Sequence, residues 1–254
     1  MSATGRNAMA AKATAQVEVV RNGHVAVLTL KRPGHGNRLS EQMADEVAAA
    51  LESARKDPQI RACVLTGHGD VFCLGGDYQG AGPTTAGRTG YAKALINMDR
   101  AMAHLGKPLV AAVNGDAHAG GFSLVIACDL AVAAADATFG LPEAAKGLFP
   151  FIALAIVKDA LPKKVLFDLI YNARLMGAHE AREVHVVNEV VPRAAVLDRA
   201  IELAERASSY NPEIVKLGRD LYYNLRGAKP DDAFTESRIA LLAALAEKAR
   251  TDKN

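Results

Sequence analysis

Leu109-Val110-Ala111-Ala112-Val113-Asn114-Gly115-Asp116-Ala117-His118-Ala119-Gly120-Gly121 decides how this chain is read. The first five residues are small, apolar and without a polar face, as in a strand covered on both sides. Asn114-Gly115 closes that strand. Gly120-Gly121 opens an apolar stretch to about Cys128 that reads as a helix, and a further strand follows at Leu130–Ala134. Upstream, Ala62–Thr66 is a strand bounded by Gly67. A glycine turn, Leu74-Gly75-Gly76-Asp77, comes next, then a helix predicted over Ala92–His104 that ends near Gly106. The order strand, glycine turn, helix therefore occurs twice. This weak internal repeat fits a spiral of strand-strand-helix turns.

Working outward, Gln16–Val20 and His24–Leu30 read as two strands joined at Asn22-Gly23. Ser40 is a predicted N-cap for a helix to about Lys56, with Met43, Val47 and Leu51 on one face. Helices follow at Phe151–Ala160 and Lys164–Tyr171, and Glu183–Val191 holds a short strand. From Ala194 onward the pattern is helical. The expected organisation is α/β: a core over residues 15–193 and a C-terminal helical part over 194–254 that serves as an oligomerisation or lid region. Residues 1–14 are small and polar with no apolar leader pattern, and are expected to form a flexible tail.

Half of the 254 residues are apolar, enough for a large core. A net charge of +2 lacks the basic excess of a nucleic-acid binder. The three cysteines, Cys63, Cys73 and Cys128, match no zinc spacing and no disulfide framework. No metal site is expected, and a reducing cytoplasm is the expected compartment. The most apolar stretches, Leu124–Ala135 and Phe149–Val157, are too short to cross a bilayer.

Three loops can carry chemistry. Phe72–Asp77 has paired glycines that let backbone N–H groups approach a ligand, or it is a tight surface turn. Asn114–Gly121 runs into a helix start, where unpaired N–H groups hold an anion, or where small residues allow close packing. Thr138-Phe139-Gly140-Leu141-Pro142-Glu143 places one acid among apolar neighbours, as a base of raised pKa or as a helix-capping residue.

Taken together and in this order, the loops resemble those of the crotonase (enoyl-CoA hydratase/isomerase) family. Phe72–Asp77 is similar to its Phe-x-Ala-Gly-x-Asp motif. Ala112–Gly115 with Gly120-Gly121 and Cys128-Asp129 is similar to its second signature, and Phe139–Glu143 to its Phe-Gly-x-Pro-Glu. Asn37 and Leu39 echo an Asn-Ala-Leu near the family's CoA contact, with Arg38 in place of alanine. The resemblance implies a spiral of repeated β-β-α units, a homotrimer or hexamer, and an acyl-CoA thioester as substrate in fatty acid metabolism. CoA then arrives as part of the substrate, with no separate cofactor and no nucleic-acid or membrane partner. It implies an oxyanion hole from the N–H groups of Leu74 and Gly120, and Glu143 as the catalytic acid/base. It implies CoA contacts at Leu39 and Cys73. Arg38 is expected to pair with CoA phosphates or to be a solvated loop residue. The expected substrate pocket includes Asp77, His118, Ser123 and Phe151.

Hydratases of that family carry a second glutamate three residues past the oxyanion glycine, and here that position is Ser123. They also carry Gly-Ala-Gly-Gly where this chain has Phe151-Ile152-Ala153-Leu154. Bulky apolar side chains there are expected to close the pocket and keep water out. The pattern is closest to that of the enoyl-CoA isomerases, in which one glutamate moves a proton between two carbons. Asp116 and His118 leave open an acyl-CoA hydrolase or decarboxylase, or they hydrogen-bond the backbone. An inert acyl-CoA-binding relative is the third reading.

Overall fold

The computed structural model describes residues 14–251, so residues 1–13 of the expected tail lie outside the described residues. The chain opens with β1 (Val17–Asn22) and β2 (Val25–Leu30), paired antiparallel. Their turn is Gly23-His24, one residue later than predicted, because Asn22 still pairs with Val25. Gly23 has φ of 58°, which glycine adopts without a steric cost. α1 (Glu41–Lys56) starts where expected: the Ser40 hydroxyl accepts the Met43 N–H at 3.1 Å. Met43, Val47 and Leu51 are buried beneath it.

Three strand-strand-helix turns follow. The first is β3 (Ala62–Gly67), β4 (Val71–Cys73) and α2 (Thr85–Ala103). The second is β5 (Leu109–Val113), β6 (Asp116–His118) and α3 (Gly120–Ala127). The third is β7 (Leu130–Ala134), β8 (Thr138–Gly140) and, after a 3-10 turn at Pro142–Lys146, α4 (Phe151–Val157). Then come α5 (Lys163–Tyr171), β9 (Leu175–Gly177), α6 (Ala178–Glu183), β10 (Glu189–Val191), α7 (Val196–Ala207), α8 (Pro212–Asn224) and α9 (Pro230–Thr251).

The first strand of each turn joins a large sheet, ordered β1-β2-β3-β5-β7-β10, which is parallel from β2 onward. The second joins a small sheet, β4-β6-β8-β9, parallel except for β9 at its edge. The expected spiral of β-β-α units is this arrangement. The large sheet forms the centre of the core, with Val64, Val110 and Val132 wholly buried.

The helical C-terminal part begins inside that core. α7 lays Val196, Ala200 and Ala204 against the large sheet, so the packed unit extends past residue 193. α8 is pinned by Arg219, whose guanidinium donates to Asp129 at 2.8 Å and to the carbonyls of Met102 and Ala103 at 2.8 and 2.7 Å. α9 packs on α8 and has no buried residue. Among the described residues, no helix is long and apolar enough to cross a membrane.

Candidate active site

β4, β6 and β8 are neighbours and run parallel, so the loops that follow them leave one edge of the small sheet together. That edge, beyond the carboxyl ends of parallel strands, is where open α/β sheets hold ligands. The first loop is fixed by a bridge between Leu39 and Gly76. The Leu39 N–H donates to the Gly75 carbonyl at 2.9 Å, and the Asp77 N–H to the Leu39 carbonyl at 2.8 Å. In a parallel bridge of this form the central residue turns its own N–H the other way. The Gly76 N–H therefore faces α3, and a β-carbon on Gly120 would lie 3.5 Å from Gly76 N.

This geometry corrects the first oxyanion donor. The Leu74 N–H is already given to the Gly36 carbonyl at 3.0 Å. The amides of Gly76 and Gly120 make no hydrogen bond among the described residues. Of the amides in this motif, that of Gly76, two residues beyond Leu74, is therefore the one left free beside Gly120.

The second loop is strained. Ala119 has φ 53° and ψ −122°, a conformation that typically costs about 1–3 kcal/mol for a residue with a β-carbon. It is held because its N–H donates to the Gly140 carbonyl at 2.8 Å and its carbonyl accepts the Ser123 N–H at 3.1 Å. The result aims the Gly120 amide, at the start of α3, beside Gly76. Gly75 makes the close approach possible: with φ of 98°, a β-carbon there would lie 2.6 Å from Ala119 Cβ. Ser123 is buried, and its hydroxyl donates back to the Gly120 carbonyl at 2.8 Å, so it does not point at the two amides as a base.

Asp116 and His118 share Thr138. The Thr138 N–H and hydroxyl donate to Asp116 Oδ1 at 2.9 and 2.7 Å. His118 Nε2 lies 2.8 Å from the same hydroxyl oxygen. Since that hydroxyl gives its hydrogen to Asp116, the His118 Nε2–H is the donor, an assignment that rests on the network. The chain ties β6 to β8. Burial pushes His118 below its ordinary range, against the pull of Asp116.

Glu143 lies on the 3-10 turn and is only 6% exposed. Its Oε2 has no hydrogen-bond partner among the described residues. Burial raises its carboxyl above the usual range, while its own backbone amide and Lys146 pull the other way. Two adjoining cavities meet at this residue. The inner one has a volume of about 40 Å³ and is walled by Leu39, Leu95, Met98, Leu124, Ile152 and Ile156, with Ser123 and Asp99. The outer one, about 110 Å³, carries Arg38, His118 and Lys146. Gly76, Tyr78 and Glu143 line both.

The remaining expectations divide. Arg38 lines the outer cavity with its guanidinium on the Leu74 carbonyl. Leu39 is buried in the inner wall. Cys73 is wholly buried, its thiol 3.8 Å from the Gly75 carbonyl, and burial raises it to about 11, so its side chain offers nothing to CoA. Asp77 stands outside both cavities, paired with Arg32 at 2.9 Å and capping the Gly80 N–H. It braces the loop instead. Phe151 is 76% exposed and packs on Phe149, because the first turn of α4 faces it outward. Ile152 and Ile156 form the wall in its place.

Gly76, Tyr78, Lys146 and Asp99 were not among the expected site residues. Gly76 stands inside a quoted motif, and Tyr78 directly follows it. Asp99 adjoins the buried stripe of α2, Tyr91, Leu95, Met98 and Met102, where a charge is out of pattern.

A putative enoyl-CoA hydratase of Thermus thermophilus is 36% identical over 228 residues, 88% of this chain and 89% of the relative. Carnitinyl-CoA dehydratase of Escherichia coli is 32% identical over 235 residues, 89% and 87% of the two chains. An enoyl-CoA hydratase structure from Mycobacterium smegmatis superposes with a TM-score of 0.86 at 27% identity, covering 91% of both chains. The enoyl-CoA hydratase/isomerase family model matches residues 20–251. The chain is a member of that family, the crotonase superfamily, and an acyl-CoA-binding enzyme.

Proposed function

We propose that the enzyme moves a proton along the acyl chain of an enoyl-CoA through an enolate, interconverting 3-enoyl- and 2-enoyl-CoA. The observation that carries this reading is the isolation of Glu143. It is the carboxylate at the junction of both cavities, beside the two amides that have no acceptor. Its neighbour Ser123 has its hydroxyl turned onto a carbonyl.

In this reading the thioester oxygen accepts the N–H groups of Gly76 and Gly120. The Glu143 carboxylate takes a proton from C2 of the 3-enoyl chain, and the C2–H electron pair delocalises through C1 onto that oxygen, with the C3–C4 double bond in conjugation. Two fixed donors stabilise the charge as it develops. Glu143 then returns the proton to C4 as the double bond settles between C2 and C3. A carboxyl raised by burial suits both halves, since it accepts and releases a proton with similar ease. The basic rim formed by Arg38 and Lys146 suits the CoA side, and the apolar inner cavity suits the acyl tail. A trimer or hexamer is part of the same proposal. α9 leaves Phe234, Ile239, Leu242 and Leu245 exposed, as an interface helix would.

A second reading, addition or removal of water, is favoured by the names of the relatives at 36% and 32% identity. It uses the same amides and Glu143, with a water admitted beside Ser123. The test is a substrate panel for wild type and Glu143→Gln. Conversion of 3-enoyl-CoA to 2-enoyl-CoA supports isomerisation, and 3-hydroxyacyl-CoA from 2-enoyl-CoA supports hydration. Release of free CoA supports hydrolysis, and full turnover by the variant removes Glu143 from either mechanism.

A further inference from the structure

Asp99 has no role in the proton transfer, yet it lines the acyl cavity. It lies on α2 beside Met98 and one turn beyond Leu95, both of which face the same space. The outer cavity does not reach it, so it sits on the side of Glu143 away from the basic rim. No described residue gives it a hydrogen bond or an ion pair. Burial pushes its carboxyl up, and Arg226, which stacks over the rings of Tyr222 and Tyr223, pulls it down from a distance. Asp99 is half-buried, and a polar group at the edge of such a wall gains from a partner inside it. The helix pattern would accept leucine there at no such cost.

Building on the acyl-CoA reading, we infer that Asp99 recognises a neutral hydrogen-bond donor, a hydroxyl or an amide, near the end of a short acyl chain. The cavity of about 40 Å³ has room for about three water-sized groups, which suits a short chain. Arg226 partly offsets the charge of Asp99 from a distance, which lessens the pull on a cationic tail. An acceptor set in an apolar wall discriminates against an analogue that lacks the donor.

The test compares equilibrium binding of 4-hydroxybutyryl-CoA and pentanoyl-CoA, which have the same number of heavy atoms, by calorimetry. The full-length protein is used as wild type, Asp99→Leu and Asp99→Asn. Wild type is expected to favour the hydroxyl ligand by about tenfold. Asp99→Leu is expected to reverse the order, and Asp99→Asn to retain part of the preference. A wild-type preference for pentanoyl-CoA, or a ratio unchanged in Asp99→Leu, overturns the inference and leaves the enolate reading standing. No binding of either thioester to wild type overturns both.

Discussion

The large and small sheets divide the work of the molecule. The large one has strands of five or six residues in its centre, buried almost without exception. The strands of the small one have three residues each. Yet the small sheet carries all three reactive loops from one edge. Stability is lodged in the first, and the second is a short rack that sets the spacing of Gly76, Gly120 and Glu143. Damage to the two sheets should therefore be read out differently.

The largest stability effect is expected in the large sheet. Leu65→Ala removes a side chain that is 1% exposed in β3 and should cost about 2–5 kcal/mol of unfolding free energy. Denaturant titration should show this while kcat of the folded fraction stays within about twofold. A kcat loss comparable to that of a loop substitution would erase the division.

Gly75→Ala should do the reverse. The added methyl meets Ala119 Cβ and displaces the Gly120 amide. Losing one oxyanion donor typically costs about 2.7–4 kcal/mol of barrier, or roughly 10²–10³ in kcat. Melting temperature should fall less than for Leu65→Ala. A variant with normal kcat would show that this loop does not aim the amide.

Thr138→Val removes the hydroxyl that Asp116 and His118 share, while the backbone N–H at 138 keeps its bond to Asp116. A loss of about 1–3 kcal/mol is expected in denaturant titration. A kcat loss of less than tenfold should accompany it, because Glu143 hangs from β8. If Asp116 and His118 were themselves the acid and base, turnover would vanish while stability held.

The smallest effect concerns pH. Burial raises Glu143 in the folded protein, so the native state holds a proton that the unfolded chain releases. This contribution to stability is present below the ordinary glutamate range and is lost as pH rises through the raised value. Glu143→Gln should therefore gain stability relative to wild type as pH rises through that window, measured by paired denaturant titrations. An opposite slope would mean that Glu143 is stabilised as the carboxylate.

The repeat and the large sheet were legible in the sequence because Ala62–Gly67, Leu109–Val113 and Leu130–Ala134 are long enough to show an unbroken apolar run. The strands Val71–Cys73, Asp116–His118 and Thr138–Gly140 look like loops in the sequence, since three residues show no alternation. α2 starts at Thr85, seven residues before the prediction, because Gly87 and Gly90 mask its first turns. Glu143 and Gly120 were legible as motif residues. The exchange of Leu74 for Gly76 was not, because only the pairing with Leu39 shows which amide is spent. Phe151 and Ile152 are adjacent in sequence, and only the start of α4 decides which faces inward.

The most direct test of the central claim supplies a short 3-enoyl-CoA in water enriched in oxygen-18 to wild type and to Glu143→Gln. Appearance of the conjugated 2-enoyl thioester is followed, and the acyl products are weighed by mass spectrometry. The account expects conversion by wild type with no oxygen-18 in the acyl chain, and a rate at least about 10²-fold lower in the variant. No conversion by wild type, oxygen-18 in the chain, or an undiminished rate in Glu143→Gln would contradict it.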